Sequence, residues 1–210
     1  MPEFVKKSNR RAKNKWKKRI YFCHVGRCAG KSIIWNYLQD GWDVIHDDVI
    51  RPTRPEIKEM YIPRKHDQEF IPSESFAIVR HPVERLVSHL RWAAKNKKVR
   101  NVLEEQFSFL ENSIDNLYDN ELGRQIIPGF DSILFDSVVL QYEMGMRNIA
   151  DYLVENKMIS KWTKNIRITE AAKVKIDWEK CPDSLRDKIL KVYEKDFEEF
   201  DYDPYEFLKK

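Results

Sequence analysis

The sequence predicts an α/β fold in which a central parallel sheet is flanked by helices. Short apolar runs rich in β-branched and aromatic residues alternate with longer segments of helical periodicity along the 210 residues. This alternation is typical of a parallel sheet that helices cover on both faces. The length suits a single domain, and 42% hydrophobic residues are enough to bury a core. The mean hydropathy of −0.65 favours a globular protein over a disordered or fibrous one.

Periodicity and turn residues place the individual elements. We expect strands at 20–25, 42–46, 75–79 and 133–142. We expect helices at 31–39, 82–97, 100–120, 145–156 and 184–200. Gly41 suits the end of the first of these helices, and Pro82 suits the first turn of the second. Residues 47–74 are rich in proline and charge and are expected to be irregular apart from a short helix near 55–61.

Basic charge is concentrated near the start of the chain. Residues 6–19 hold nine Lys and Arg and no acid, so without them the formal net charge changes from +4 to −5. We therefore divide the chain into a basic N-terminal arm, 1–19, and a single α/β domain, 20–210. The arm could bind nucleic acid or another polyanion, or could be a solvated or steering segment. Trp16 is its only aromatic residue apart from Phe4, which lies outside the basic run, so specific nucleic-acid binding is not expected.

Several classes of protein are not expected. No apolar run approaches the ~18–20 residues that span a bilayer. The first residues contain no apolar signal segment, so we expect a cytoplasmic protein without a transmembrane helix. Cys23, Cys28 and Cys181 have no zinc-ligand spacing and are expected to be free thiols, and we expect no metal site. The oligomeric state is left open.

The first chemical feature is a short glycine loop between a strand and a helix. Only six residues of the chain are glycine, and Gly26 and Gly30 both lie in this loop. A loop of this kind presents backbone N–H groups and a helix N-terminus to an anion. Arg27 and Lys31 add positive charge, and Ser32 adds a hydroxyl. The spacing is one residue shorter than a Walker A loop, and a tight turn with chance basic residues is the alternative.

The second feature is the stretch FAIVRHPVERLVS at 76–88. Arg80 ends a strand there, and Ser88 lies almost two turns into the following helix. An arginine at this edge of a parallel sheet suits an anion in the crevice. Glu84 and Arg85 are expected to be exposed or structural charges rather than ligands. An ordinary strand–helix unit is the alternative.

The two stretches together resemble the sulfotransferase superfamily, and its carbohydrate-type branch (heparan and chondroitin sulfotransferases) in particular. YFCHVGRCAGKS at 21–32 is similar to its first-strand motif, and 76–88 is similar to its later arginine–serine motif. The segment 189–203 resembles its closing helix. The resemblance implies a P-loop-like three-layer fold with a central parallel sheet. It also implies binding of 3′-phosphoadenosine 5′-phosphosulfate (PAPS) as donor, with a carbohydrate or other hydroxyl as acceptor and no metal.

The resemblance also implies roles for particular residues. The loop Gly26, Arg27, Cys28, Ala29, Gly30, Lys31 and Ser32 would hold the 5′-phosphosulfate, and Arg80 with Ser88 would hold the 3′-phosphate. Arg27 stands where the family has lysine. Because a guanidinium pKa exceeds ~12, Arg27 would stabilise the leaving phosphate by charge alone, unless Lys31 has taken the role of proton donor. This departure puts the activity itself in question.

The general base is expected among the histidines. His66 is the first choice and His46 the second, because this family often carries its base in the corresponding stretch. An acidic residue of that stretch is another possibility, and neither histidine need be catalytic. His24, His81 and His89 are expected to brace or pack.

Two other functions compete with the sulfotransferase hypothesis. ILFD at 133–136 resembles a Walker B strand ending in Asp136, which would suit a P-loop nucleotide kinase or NTPase that needs magnesium. A non-catalytic nucleotide-binding module is the third hypothesis, and the arginine at position 27 is its main support.

Overall fold

A five-stranded sheet forms the centre of the computed structural model, which describes residues 2–7, 16–46, 74–96, 102–133, 136–163 and 176–206. The strands are β1 (Pro2–Lys7), β2 (Trp16–Cys23), β3 (Asp43–His46), β4 (Glu74–Val79) and β5 (Val138–Gln141). Their order across the sheet is β3-β1-β2-β4-β5. β4 pairs in parallel with both β2 and β5, and β1 is antiparallel to both of its neighbours.

Helices flank the three parallel strands, so the predicted α/β fold is confirmed at this level. They are α1 (Gly30–Gln39), α2 (Pro82–Lys95), α3 (Val102–Asp115), α4 (Glu121–Arg124), α5 (Met146–Glu155), α6 (Asp183–Val192) and α7 (Glu194–Glu199). The short crossover units β2–α1 and β4–α2 follow the predicted alternation of strand and helix.

Three elements differ from the sequence prediction. Among the described residues of 133–142, only Val138–Gln141 form a strand, and Asp136 lies in a turn just before it, where aspartate is favoured. The helix expected at 100–120 ends at Asp115. The helix expected at 184–200 is divided into α6 and α7 at Tyr193, whose φ of −107° departs from helical geometry.

The basic N-terminal segment also differs from the expected arm. Pro2–Lys7 forms β1, and the end of the basic run is already part of β2. The two strands pair antiparallel, with Phe4 opposite Ile20 and Val5 opposite Arg19. Strand pairing satisfies the backbone hydrogen bonds of these residues, so their high charge does not keep them out of the sheet.

Two buried clusters hold the helices against the sheet. The first joins the parallel strands to α1 and α5, and it includes two residues of the loop that follows β2, Val25 and Cys28. The second joins α2, α3, α6 and α7 around Leu86, Leu110 and Ile189. The loop after β2 is therefore anchored in the core.

Candidate functional site

The three parallel strands end at the same edge of the sheet, and a loop follows each of them there. Residues 24–29 connect β2 to α1, residues 80–81 connect β4 to α2, and residues 142–145 connect β5 to α5. Ligands of open α/β sheets bind in the crevice outside this edge. The predicted loop glycines and Arg80 therefore lie on one side of the molecule, at the edge where such a ligand is expected.

The loop 24–29 has the backbone conformation of an anion-binding concavity. Arg27 and Ala29 have φ values of 66° and 56°, whereas the intervening Cys28 does not share this left-handed conformation. Alternation of this kind turns successive N–H groups toward one point. The N–H groups of 26–31 donate to no acceptor among the described residues, while the N–H of Ser32 donates to the Ala29 carbonyl at 2.8 Å.

Gly26 in the loop and Gly30 at the start of α1 each lie so close to another residue that a side chain would collide with it. A Cβ on Gly26 would lie 2.2 Å from the backbone oxygen of Gln125. A Cβ on Gly30 would lie 1.9 Å from Nε2 of His24, whose exposed ring covers the start of α1 and stacks on Phe22. The first contact is with rigid backbone, so Gly26 tolerates substitution least.

The predicted loop residues differ in what they present to the crevice. Lys31 is exposed in the first turn of α1, and Ser32 is buried behind it. Cys28 is fully buried, and its thiol donates to the Gly26 carbonyl at 3.5 Å. Burial raises the pKa of this thiol to about 11, so Cys28 is protonated at neutral pH and braces the loop without offering a thiolate.

Arg27 joins the loop to α2. One terminal nitrogen donates to the Ser88 carbonyl at 2.7 Å, and the guanidinium carbon lies 5.7 Å from the Trp92 ring centroid. Its Nε is buried and has no partner among the described residues. Burial, and then the charge of Arg80, lower the pKa of Arg27 to about 10, which leaves it a cation at neutral pH.

Arg80 follows β4, close enough for its charge to lower the pKa of Arg27. It donates to the Glu84 carboxylate at 3.1 Å and lies 4.8 Å from the Tyr142 ring centroid. Its Nε is also buried without a partner within the described part of the chain. Two guanidinium groups, each with a buried Nε that has no partner among the described residues, therefore follow neighbouring parallel strands at one edge of the sheet. An anion between them would supply acceptors and offset their mutual repulsion.

The backbone carbonyl of Ser88 is turned toward the loop, since Arg27 donates to it at 2.7 Å. The sequence placed Ser88 almost two turns into this helix, where it reaches the crevice only if this face of α2 turns back. The structure therefore brings the Arg27 side chain to the backbone of Ser88, and Arg80 lies close enough to Arg27 to lower its pKa.

The histidines of α2 have structural roles. His81 caps the helix, because its Nδ1 accepts from the Val83 N–H at 3.2 Å while its Nε2 donates to the Asp203 carbonyl at 3.1 Å. His89 is fully buried and stacks on Trp92 and Phe109. Burial, reinforced by the nearby Arg27, lowers the pKa of His89 to about 3, so it is neutral at physiological pH.

The two base candidates remain predictions. His66 lies outside the described residues. The backbone of His46 ends β3 opposite Pro2, at the level of Phe22 and two strands from β2. That position is about 10 Å across the sheet from β2.

Sequence reasoning missed how the loop is supported. Arg85 was expected to be an exposed or structural charge, and it is structural. Its side chain and that of Asp196 are each only 1% exposed and form an ion pair of 3.1 Å. The similarity of 189–203 to a closing helix was the available signal, but nothing in the sequence pairs positions 85 and 196.

The described residues contain no group of three or more His, Cys, Asp or Glu side chains arranged to hold a metal ion. Among the same residues, no helix has both the length and the apolar character needed to cross a membrane. Comparisons with protein-family models, curated proteins and solved structures give no match. The function has to be inferred from the site itself.

Proposed function

We propose that the chain is a sulfotransferase with a P-loop-like fold that moves a sulfuryl group from PAPS to a hydroxyl, with a carbohydrate as the favoured acceptor class. The supporting observation is the pair Arg27 and Arg80, whose buried Nε donors have no partner among the described residues. The donor carries a phosphosulfate at one end and a 3′-phosphate at the other. It would therefore provide acceptors for both guanidinium groups at once.

Each part of the crevice has a role in this proposal. The N–H groups of Gly26 to Lys31 would hold the phosphosulfate, and the start of α1 adds the positive end of its dipole. Arg80 and Ser88 would hold the 3′-phosphate. Donors fixed before the substrate arrives need no reorganisation as negative charge develops on the leaving phosphate.

The reaction is an in-line displacement at sulfur. The acceptor oxygen forms a bond to sulfur while the bond from sulfur to the phosphate oxygen breaks, which releases adenosine 3′,5′-bisphosphate. A base removes the proton of the acceptor hydroxyl. His66 is the first candidate and His46 the second.

The contacts of Arg27 and Lys31 favour different roles for these two cations. Arg27 is held against α2 by the Ser88 carbonyl and the Trp92 ring, whereas Lys31 is exposed in the first turn of α1. This favours Arg27 as a clamp that contributes charge, and Lys31 as the cation that reaches the departing phosphate oxygen. An ammonium group at this position can also donate a proton to that oxygen.

The position of Asp136 argues against the kinase alternative. This residue precedes β5, and β5 is parallel to β4. It therefore lies at the opposite edge of the sheet from the glycine loop. Glu143 follows β5 at the correct edge, but its two oxygens already accept from the His81 N–H at 2.9 Å and the Tyr202 hydroxyl at 3.0 Å.

The contacts of Arg27 are also consistent with the non-catalytic binding module, because this side chain already contacts protein groups.

An assay of sulfuryl transfer distinguishes the three functions. The full chain is incubated with labelled PAPS and a panel of saccharides, with Mg²⁺ or with a chelator. We expect label on an acceptor under both conditions, and a loss of about 100-fold in kcat for Lys31→Ala. His66→Ala should also lower kcat, and unchanged activity would exclude it as the base.

Lys191→Ala serves as the charge-matched control, because it removes one exposed cation from α6. Its transfer rate should equal that of the unmodified chain. Phosphoryl transfer from ATP that requires Mg²⁺ would instead support the kinase, and binding of PAPS with neither transfer nor hydrolysis would support the binding module.

A further inference from the structure

A buried network connects the glycine loop to the C-terminal helices. Arg85 donates from one terminal nitrogen to Asp196 Oδ2 at 3.1 Å, from the other to the Ile127 carbonyl at 2.5 Å, and from Nε to the Gly26 carbonyl at 3.2 Å. Asp196 in turn accepts from the N–H groups of Gly129 at 2.7 Å and Phe130 at 2.8 Å. Both charged side chains are therefore fully engaged inside the protein.

The contact at Gly26 determines the direction of a neighbouring donor. In a trans peptide, the carbonyl of one residue and the N–H of the next point in opposite directions. Arg85 holds the Gly26 carbonyl inward, and the Cys28 thiol contacts the same oxygen at 3.5 Å. The N–H of Arg27 must consequently point away from Arg85, and it has no acceptor among the described residues.

The loop has a conformation that requires such support. Arg27 and Ala29 adopt left-handed φ values although neither is glycine. Such a conformation persists where surrounding contacts determine it. Arg85 reaches the loop from the core side, so it can fix the loop without occupying the crevice.

We propose that the Arg85–Asp196 ion pair is a positioning device that turns the Gly26–Arg27 peptide so that the Arg27 N–H faces the anion crevice. Arg85 and Asp196 touch no substrate in this scheme. They act through the Gly26 carbonyl. The inference rests on the proposed function only for the identity of the anion, the phosphosulfate of the donor.

The test compares variants of the pair with a destabilising variant elsewhere in the core. Arg85→Lys keeps the charge beside Asp196 but cannot reach the two carbonyls as well. Arg85→Gln combined with Asp196→Asn replaces the pair by neutral groups of similar size, which avoids an unpaired buried charge if Arg85→Lys does not fold. Leu185→Ala is the control, because Leu185 is buried in the second cluster and has no part in the network.

Two readouts separate positioning from stability. Calorimetric titration with adenosine 3′,5′-bisphosphate should show an affinity at least about tenfold weaker in the pair variants. Native-state amide exchange of Val25 and Ser32, whose N–H groups donate to the Cys23 and Ala29 carbonyls at the two ends of the loop, should be at least about tenfold faster in them. Leu185→Ala should leave both close to the values of the unmodified chain.

Pair variants that match Leu185→Ala in both readouts would overturn the inference. The exchange measurement needs no nucleotide, so it decides the positioning role by itself. If the unmodified chain does not bind the bisphosphate, the proposed function fails. Faster exchange of the Val25 and Ser32 amides in the pair variants would then still support the role of Arg85, and unchanged exchange would reject it.

Discussion

The loops that carry Arg27 and Arg80 follow neighbouring parallel strands, yet they are held in different ways. The loop after β4 has two residues, and it combines local supports with two remote contacts. His81 caps α2 and Pro82 occupies the first turn, while His81 also contacts Glu143 and the Asp203 carbonyl. The loop after β2 has six residues, 24–29, two of them left-handed. Its supports come from Arg85, Gln125 and Asp196, all remote in sequence.

The difference shows where each loop is vulnerable. The loop after β4 depends on the cap of α2 and on single hydrogen bonds of His81, and capping contributes about 1 kcal/mol per contact. The loop after β2 depends on the close approach of the Gln125 backbone to Gly26 and on the buried Arg85–Asp196 ion pair. One substitution there can therefore displace several N–H donors of the loop together. The following substitutions test this contrast, from the largest expected effect to the smallest.

Gly26→Ala should have the largest effect. The new Cβ would meet the Gln125 carbonyl at 2.2 Å, and backbone cannot move aside as a side chain can. We expect a loss of about 3 kcal/mol in the free energy of unfolding, measured by urea denaturation. Gly41→Ala is the control, because it meets nothing within 4 Å and carries only the penalty of its φ of 78°, about 1 kcal/mol. Equal losses for the two variants would contradict the close approach.

His89 should make stability depend on pH. Its pKa of about 3 in the folded chain lies below 6.5, so between these values the unfolded chain binds more protons. The contribution of neutral His89 to the free energy of unfolding is complete above pH 6.5. It falls as the pH decreases, by about 2 kcal/mol between pH 6.5 and 5. His89→Phe keeps a ring between Trp92 and Phe109 but does not titrate. Parallel stability–pH curves for this variant and the unmodified chain would rule out the shift.

His81→Ala tests the loop after β4. It removes the cap of α2 and the contact with the Asp203 carbonyl, so we expect a loss of about 1–2 kcal/mol in unfolding free energy. His81→Asn restores a capping side chain, and it should recover part of this loss in the same urea experiment. If the asparagine variant is no more stable than the alanine variant, capping is not the source of the effect.

Ala29→Gly should have the smallest effect and the opposite sign. Glycine removes the penalty of a left-handed φ of 56°, but it loses more conformational entropy on folding, so the expected net gain is about 0.5 kcal/mol. Thermal denaturation can detect this gain. A loss of stability would mean that the loop does not adopt the left-handed conformation at position 29.

The contrast between the loops also explains what could be predicted from the sequence. Strand periodicity, Pro82 and the glycine spacing are local signals, and they predicted the β2–α1 and β4–α2 units and the candidate residues Arg27, Arg80 and Ser88. The Arg85–Asp196 pair joins positions 111 residues apart, and no local signal specifies it. β1 was missed because the density of charge in the first residues masked its strand character.

The most direct test of the central claim is the calorimetric titration of the unmodified chain with adenosine 3′,5′-bisphosphate and with adenosine 5′-monophosphate. The bisphosphate should bind at least about tenfold more tightly, because Arg80 would pair with the 3′-phosphate. Arg80→Ala should remove this preference, whereas Lys191→Ala should retain it. Equal affinity for the two nucleotides, or no binding of the bisphosphate at millimolar concentration, would contradict the proposed function.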